Sequence, residues 1–499
     1  MIQISISDKE YASDIRNLVK AFYQNQDIVL MSNDGNVSNT QKRKLAGDKV
    51  IGRIIFSISP ENVLAEFKSN DVNDKLQVNI DNKEDTRNGV NKAVYKALTK
   101  HTGKELPWGM MTGVHPAKPV LKLMEQEKDT QFMKEKFQSR YLCNDQKRDL
   151  IFDIADIERK VLQRTDYKNS YSLYIGIPFC PTTCVYCSFT SYSLEKYAYL
   201  VEAYLEALFK EIDYTKDIIK SKKLVTVYIG GGTPTSLNAD QLDRLLKKIC
   251  SSFNMSDVTE FTVEAGRPDS ITYDKLKVMK DYNVTRISIN PQSMNQKTLD
   301  VIGRKHSVSD IIDTYEMARR AGHDNINMDL IMGLMGENVE MTDYTLREII
   351  KLRPENVTVH TLALKRASSL NINMNRYKDM LGYDVAAMVN NAYEVLSGAG
   401  YMPYYLYRQK NMADNLENTG YCLPDKECIY NIYIMEEVQT ILALGAGGVS
   451  KFLYYNEGDR LERVDNVKSL KDYIERIQDM INKKKEYVQR RREISDEIF

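Results

Sequence analysis

From Tyr171 onward the chain repeats one pattern, a short apolar run of strand length followed by a helical stretch. The runs are Leu173–Ile177, Val225–Ile229, Glu260–Val263, Val284–Ile289, Ile326–Met332 and Val357–Leu362. Segments such as KYAYLVEAYLEALFKEIDYT and ADQLDRLLKKICSSF lie between them and carry helical spacing. Strands separated by helices cannot pair as hairpins; they form right-handed βαβ units around a parallel sheet. Six units fall short of the closed eight-stranded barrel. The expected fold class is therefore α/β, a curved, partly open (β/α)6 barrel.

The chain on either side reads differently. Residues 1–165 mix strands (IQISI, VIGRIIFSI, VLAEFK) with helices (YASDIRNLVKAFY, TRNGVNKAVYKALTKHT), the pattern of an α+β domain. The polar stretch Ser32–Lys44 reads as a loop, and Leu106–Lys118, with the chain's one Trp, as a buried junction between domains. After about residue 366 the alternation stops. The remainder reads as a mostly helical extension ending in a charged helix from Val467 to Arg492. Three domains are expected: 1–165, a barrel over 166–365, and a substrate-covering domain over 366–499.

Charge narrows the partners. Lys plus Arg balances Asp plus Glu, 69 against 69, so no general basic field draws the protein to nucleic acid or an acidic membrane. An anionic ligand must meet a local group of cations. No apolar run approaches the ~18 residues of a membrane span, and MIQISISDKEYASD lacks the features of a signal peptide. A cytoplasmic setting is expected, with the seven cysteines as thiols or metal ligands.

Three of those cysteines are clustered. IPFCPTTCVYC places Cys180, Cys184 and Cys187 in a C-x3-C-x2-C run just past the first barrel strand. Structural zinc takes four ligands, and no fourth Cys or His stands nearby. Three thiolates suit a [4Fe–4S] cluster with one iron left open, to which S-adenosylmethionine (SAM) can chelate. The alternative is a zinc site or three cysteines packed for other reasons. Position supports a site: ligands of α/β barrels collect at the C-terminal ends of strands, where the cysteines, a glycine run, Glu264 and Gln292 all fall.

On these motifs the sequence resembles the radical SAM superfamily over roughly Ser172–Ser450. Within it the chain is similar to the oxygen-independent coproporphyrinogen III oxidase family, in its HemZ-type branch with a long N-terminal domain. The resemblance implies SAM contacts by Tyr174 and Tyr186, and by Gly231, Gly232 and Thr233 of YIGGGTPT, whose glycines leave the backbone open to a ligand. It implies further SAM contacts by Glu264, Gln292, Arg304 and Asp329, and by the backbone of Thr361. Glu264 has a plainer reading, an ion pair with Arg267, and His360 reads either as site-facing or as a satisfied barrel residue. LALGAGGVSK (442–451) resembles the family's turn over the cofactor.

The implied reaction is decarboxylation of coproporphyrinogen III to protoporphyrinogen IX, with reduced flavodoxin or ferredoxin as electron donor. Arg366, Arg408 and Lys410, near tyrosine-rich PYYLYRQK, are candidate cations for the propionates of a tetrapyrrole. The sequence departs from the better-studied oxidases at Phe189, where they carry a cysteine. Heme-binding chaperones of the same family lack that cysteine too, but show a His-Asn then Tyr-Trp where this chain has Ile429-Tyr430-Asn431-Ile432-Tyr433. Alternatives are thus a heme chaperone or a radical SAM enzyme on another tetrapyrrole. Cys422 and Cys428 read as free thiols, and Cys143 and Cys250 as packing residues.

Overall fold

The computed structural model describes residues 1–494 apart from 25, 32–49, 70, 81–84, 114, 128, 188–190, 220–221, 364–367, 382 and 410–414. The chain forms two compact units: Met1–Asp153 with Arg408–Glu417, and Ile154–Tyr407 with Asn418–Phe499. The segment 366–499, expected to stand apart, is shared between them.

The first unit is built on strands β1 (Ile2–Ile6), β2 (Ile28–Met31), β3 (Gly52–Ile58), β4 (Asn62–Lys68) and β5 (Asn73–Asn79), in sheet order β2-β1-β3-β4-β5. β1 runs parallel to β2 and β3, and β3, β4 and β5 form an antiparallel meander. Ile54, Phe56, Val63, Ala65 and Phe67 alternate onto one buried face, where Ile15, Leu18 and Phe22 of helix Ala12–Phe22 and Val94 and Leu98 of helix Thr86–Thr102 meet them. β5 escapes a pattern search because, as an edge strand with alternate residues exposed, it carries few apolar residues. The expected loop Ser32–Lys44 lies outside the described residues. Trp108 is fully buried within this unit.

The second unit contains the barrel. Its strands are β6 (Ser170–Ile177), the short β7 (Phe179–Cys180) and β8 (Tyr192–Ser193), β9 (Lys223–Gly231), β10 (Glu260–Gly266), β11 (Arg286–Ile289), β12 (Ile326–Met332) and β13 (Asn356–Thr361). The six long ones match the expected strands and pair in parallel, in order β6-β9-β10-β11-β12-β13. Four of the helices between them, Ala239–Ser252, Tyr273–Asp281, Val308–Arg320 and Val339–Leu352, start on side-chain caps, with full capping boxes at Asn238 and Ser307.

Five strands of the C-terminal region extend the same sheet. β14 (Met402–Tyr407) and β15 (Asn418–Cys422) add antiparallel beside β13. β16 (Thr440–Leu444) adds parallel beside β6, followed by the antiparallel β17 (Val449–Tyr454) and β18 (Arg460–Asp465). Between β15 and β16, helix Ile429–Glu436 packs against both β9 and β14, strands far apart in the sheet, so the sheet curls around it. Glu260, at the start of β10, anchors that helix by accepting from the amides of Ile429 (2.8 Å) and Tyr430 (3.1 Å). Tyr430 then reaches inward and stacks on Tyr228, with ring centroids 4.5 Å apart.

Candidate functional site

The cysteine loop is pinned at both ends and from below. Its ends pair as β7 and β8, and in its middle the Val185 amide donates to the Ile302 carbonyl (3.1 Å). Arg267 lies nearly buried beneath it, donating to Thr182 Oγ1 (2.7 Å) and to the Thr182 carbonyl (3.1 Å), with Nη1 3.8 Å from Cys184 Sγ. The guanidinium is held in turn by Asp269 through bonds of 2.9 and 2.6 Å. Arg267 is therefore committed to Asp269 and the loop, which removes the plainer reading of Glu264 as its partner. Arg304 supports the other side, donating to Tyr186 Oη (3.0 Å) and the Asn290 carbonyl (2.8 Å).

None of the seven cysteines is in a disulfide. Burial raises the Cys180 thiol, while Thr233 donates to its sulfur at 3.5 Å. A buried thiol becomes a ligand thiolate only beside compensating charge, which two arginines and a bound cluster provide. Among the described residues no three His, Cys, Asp or Glu side chains already stand as a closed metal site. The fit to a cluster thus rests on the donor set, three thiols in one arginine-backed loop, and on the cradle next to it.

That cradle comes from the end of β9. Gly231 has φ +110°, a left-handed conformation, and a Cβ there would stand 3.4 Å from Tyr174 Oη. A Cβ on Gly232 would meet the Phe179 carbonyl at 2.5 Å and Cys180 Sγ at 3.1 Å. Only glycine leaves the backbone open at this point beside the cysteine loop.

Around the cradle the predicted residues converge. Tyr228 Oη donates to Glu264 Oε1 at 2.6 Å. Burial, and less strongly the charge of Asp329, push the Glu264 carboxyl up to about 7 against the lowering effect of that hydrogen bond. Gln292 is buried with φ +69°, strained for a residue with a Cβ. Its backbone is fixed to β12, the amide donating to the Asp329 carbonyl (2.9 Å) and the carbonyl accepting from Ile331 (3.0 Å). Asp329 accepts from Asn327 Nδ2 (2.8 Å) and faces His360 Nε2 at 3.8 Å. Burial would raise this carboxyl, but His360, Asn327 and Thr358 more than offset it and hold it below the usual range. Thr361 is buried at the end of β13, and its amide donates to Asn418 Oδ1 (2.9 Å).

The turn 445–448 after β16 lies beside the end of β6. Tyr204 Oη donates to the Gly176 carbonyl (2.5 Å) and accepts from the Ala446 amide (3.2 Å). Fully buried Glu211 accepts from the Gly445 amide (2.8 Å), Asn466 (2.7 Å), Tyr473 (2.5 Å) and Lys484.

The substrate cations fare differently. Arg408 belongs to the first unit, buried over the Trp108 ring at 5.4 Å, donating to the Met111 carbonyl and to the Asn415 carbonyl (2.8 Å). Its side chain is buried and both Nη atoms bond carbonyls of its own unit, so its expected role as a propionate clamp is corrected. Arg366 and Lys410 lie outside the described residues. Sequence reasoning left His360 undecided and missed Arg267 as loop support, Tyr228 as the Glu264 partner and Tyr430. A lone histidine or tyrosine on a strand carries no local signal; only the register between strands brings these residues together.

Residues 174–349 match the model of the radical SAM superfamily. The chain is 42% identical over 409 residues to the oxygen-independent coproporphyrinogen-III oxidase-like protein HemZ of Bacillus subtilis, with 81% of each chain covered. This chain belongs to the HemZ-like family of radical SAM proteins. It is also 33% identical to the heme chaperone HemW of Lactococcus lactis, covering 58% of this chain and 72% of that one. Among solved structures, the coproporphyrinogen III oxidase HemN of Escherichia coli superposes with a TM-score of 0.52 at 23% identity, covering 66% of this chain and 73% of that one. At that identity the likeness shows the fold. As a radical SAM protein, this HemZ-like chain uses a [4Fe–4S] cluster and SAM. No helix among the described residues is long and apolar enough to cross a membrane.

Proposed function

We propose that the chain oxidatively decarboxylates coproporphyrinogen III to protoporphyrinogen IX, with Cys180, Cys184 and Cys187 holding the cluster. The observation that carries this reading is the reach of the HemZ match, 81% of the chain, against 58% for the Lactococcus lactis HemW match. When bound, the cluster and SAM supply a 5′-deoxyadenosyl radical able to take a hydrogen atom from a propionate β-carbon. The substrate radical would then break its bond to the carboxylate, releasing CO2 and passing one electron to an external one-electron acceptor, to leave a vinyl group, and a second propionate would follow with a second SAM.

The chain's own residues orient and shield. Tyr174, Tyr186, Gly231, Gly232, Thr233, Glu264, Gln292, Arg304, Asp329 and Thr361 form the SAM cradle. Tyr405 and Tyr407, stacked with centroids 6.3 Å apart on β14, give the barrel an aromatic wall suited to a macrocycle. Arg366 and Lys410 stay candidates for the propionates, and a reduced flavodoxin or ferredoxin for the electron donor. The stretch comparable with the chaperones' His-Asn motif is Ile429–Tyr433, where Tyr430, Ile432 and Tyr433 are buried and no histidine occurs.

Anaerobic incubation of the reconstituted protein with coproporphyrinogen III, SAM and reductant tests the proposal. Loss of two CO2 units, read by mass spectrometry alongside 5′-deoxyadenosine, is the expected result. An unchanged porphyrinogen together with stoichiometric heme binding would replace it with the chaperone reading.

A further inference from the structure

His360 stands where the two acids of the SAM site meet. On β13 it pairs in register with Ile331 of β12, and its ring meets side chains from β12 and from β14. Nε2 lies 3.8 Å from Asp329 Oδ2, and Nδ1 lies 3.5 Å from Tyr407 Oη on β14. The two side chains keep 27% and 21% of their surface exposed, so the pair lines the barrel mouth instead of lying in packed core.

The groups that face the ring are Asp329 on β12, Glu264 on β10 and Tyr407 on β14, with Tyr405 beside Asp329. Among the described residues, Arg267 is held by Asp269 and Thr182, and Arg304 donates to Tyr186 Oη and the Asn290 carbonyl. Two carboxyls that share one partly buried chamber each disfavour the other's charged form. The same ring favours the charged form of both, and acts more strongly on Asp329, which it touches.

We propose that His360 is a positioning residue for SAM, fixing the Asp329 carboxylate between β12 and β14 in its ionised, acceptor-only form. This rests on the reading that Asp329 contacts SAM. Asn327 Nδ2 bonds Oδ1 and Thr358 also acts on the carboxyl, while His360 faces Oδ2, as an outer partner fixes a catalytic or metal-bound group elsewhere.

Equilibrium dialysis of SAM against the cluster-loaded, unreduced protein from pH 6 to 9 tests the inference without turnover. In His360→Phe, Asp329 loses the ring that helps hold its carboxyl down and ionises at higher pH. SAM affinity falls about tenfold at the acid end, where more of the Asp329 carboxyl is protonated, and recovers toward pH 9. His360→Gln, which keeps a side-chain donor without the imidazole ring, falls between the two. In Asp329→Asn affinity is low at every pH, and adding His360→Phe changes nothing more. Wild-type affinity in both His360 variants beside a weakened Asp329→Asn overturns the role of His360 alone. An equal loss at every pH in both His360 variants marks a packing role and also overturns it. Wild-type affinity in Asp329→Asn overturns the Asp329 reading, and this inference with it.

Discussion

Tyr228 Oη donates to Glu264 Oε1 at 2.6 Å, which ties the last turn of β9 to β10 where the glycine cradle begins. The Glu264 carboxyl nevertheless sits near 7, chiefly through burial, against an ordinary value of 4.5. Below pH 4.5 the group is protonated whether the chain is folded or not and contributes nothing. As pH rises toward 7 the unfolded chain ionises first, so stability falls, by up to about 3 kcal/mol, and then levels off. Glu264→Gln should remove that fall. Denaturant midpoints of the cluster-free protein should be similar for the two at pH 4.5, with the variant more stable at pH 8.5. The same variant should bind SAM more weakly, since it trades an anionic acceptor for an amide.

Cysteine substitutions should divide the seven thiols sharply. Replacing Cys180, Cys184 or Cys187 with Ala should abolish cluster retention, read as iron content and visible absorption after anaerobic reconstitution. Replacing Cys250, half-buried on helix Ala239–Ser252, should leave both unchanged. Arg267→Met should retain less iron than wild type, because the loop loses its donors to Thr182 and the positive charge near Cys184 Sγ.

Much of this was legible in the sequence because it is local or periodic. The six parallel strands are continuous apolar runs, as strands covered on both faces must be. Cys180, Cys184, Cys187, Gly231 and Gly232 sit in short motifs whose spacing carries the chemistry. The strands β14 to β18 were less visible: TGYC and RLERVD offer no long apolar run, and their places are set by pairing with β13 and β17. The fate of Arg408 could not be read at all. Sequence shows a cation in a tyrosine-rich stretch, and only the fold shows its guanidinium seated on Trp108.

Arg408 should act through the fold and not through SAM. Burial pushes its guanidinium down to about 10, partly countered by Glu417, which also accepts from Trp108 Nε1 (2.7 Å) and pairs with Lys147. Arg408→Met leaves the Met111 and Asn415 carbonyls without a donor and should cost roughly 2–4 kcal/mol of stability. SAM affinity should stay at the wild-type value. Denaturant unfolding and SAM dialysis on the same preparation check both halves.

The Glu211–Lys484 pair, fully buried behind the turn 445–448, should behave as a unit. Lys484→Met strands the carboxylate and should cost about 3–5 kcal/mol. Glu211→Gln keeps some of the hydrogen bonds to Gly445, Asn466 and Tyr473 and should cost less. The double variant should be more stable than the sum of the single losses predicts, a coupling that a double-mutant cycle in urea measures.

The central claim is that the SAM cradle serves radical chemistry on a propionate side chain. Coproporphyrinogen III carrying deuterium at the propionate β-carbons, incubated anaerobically with the reconstituted protein, reductant and SAM, tests it most directly. Deuterium in 5′-deoxyadenosine together with the vinyl product is the predicted result. Deuterium-free 5′-deoxyadenosine and an intact porphyrinogen would contradict it.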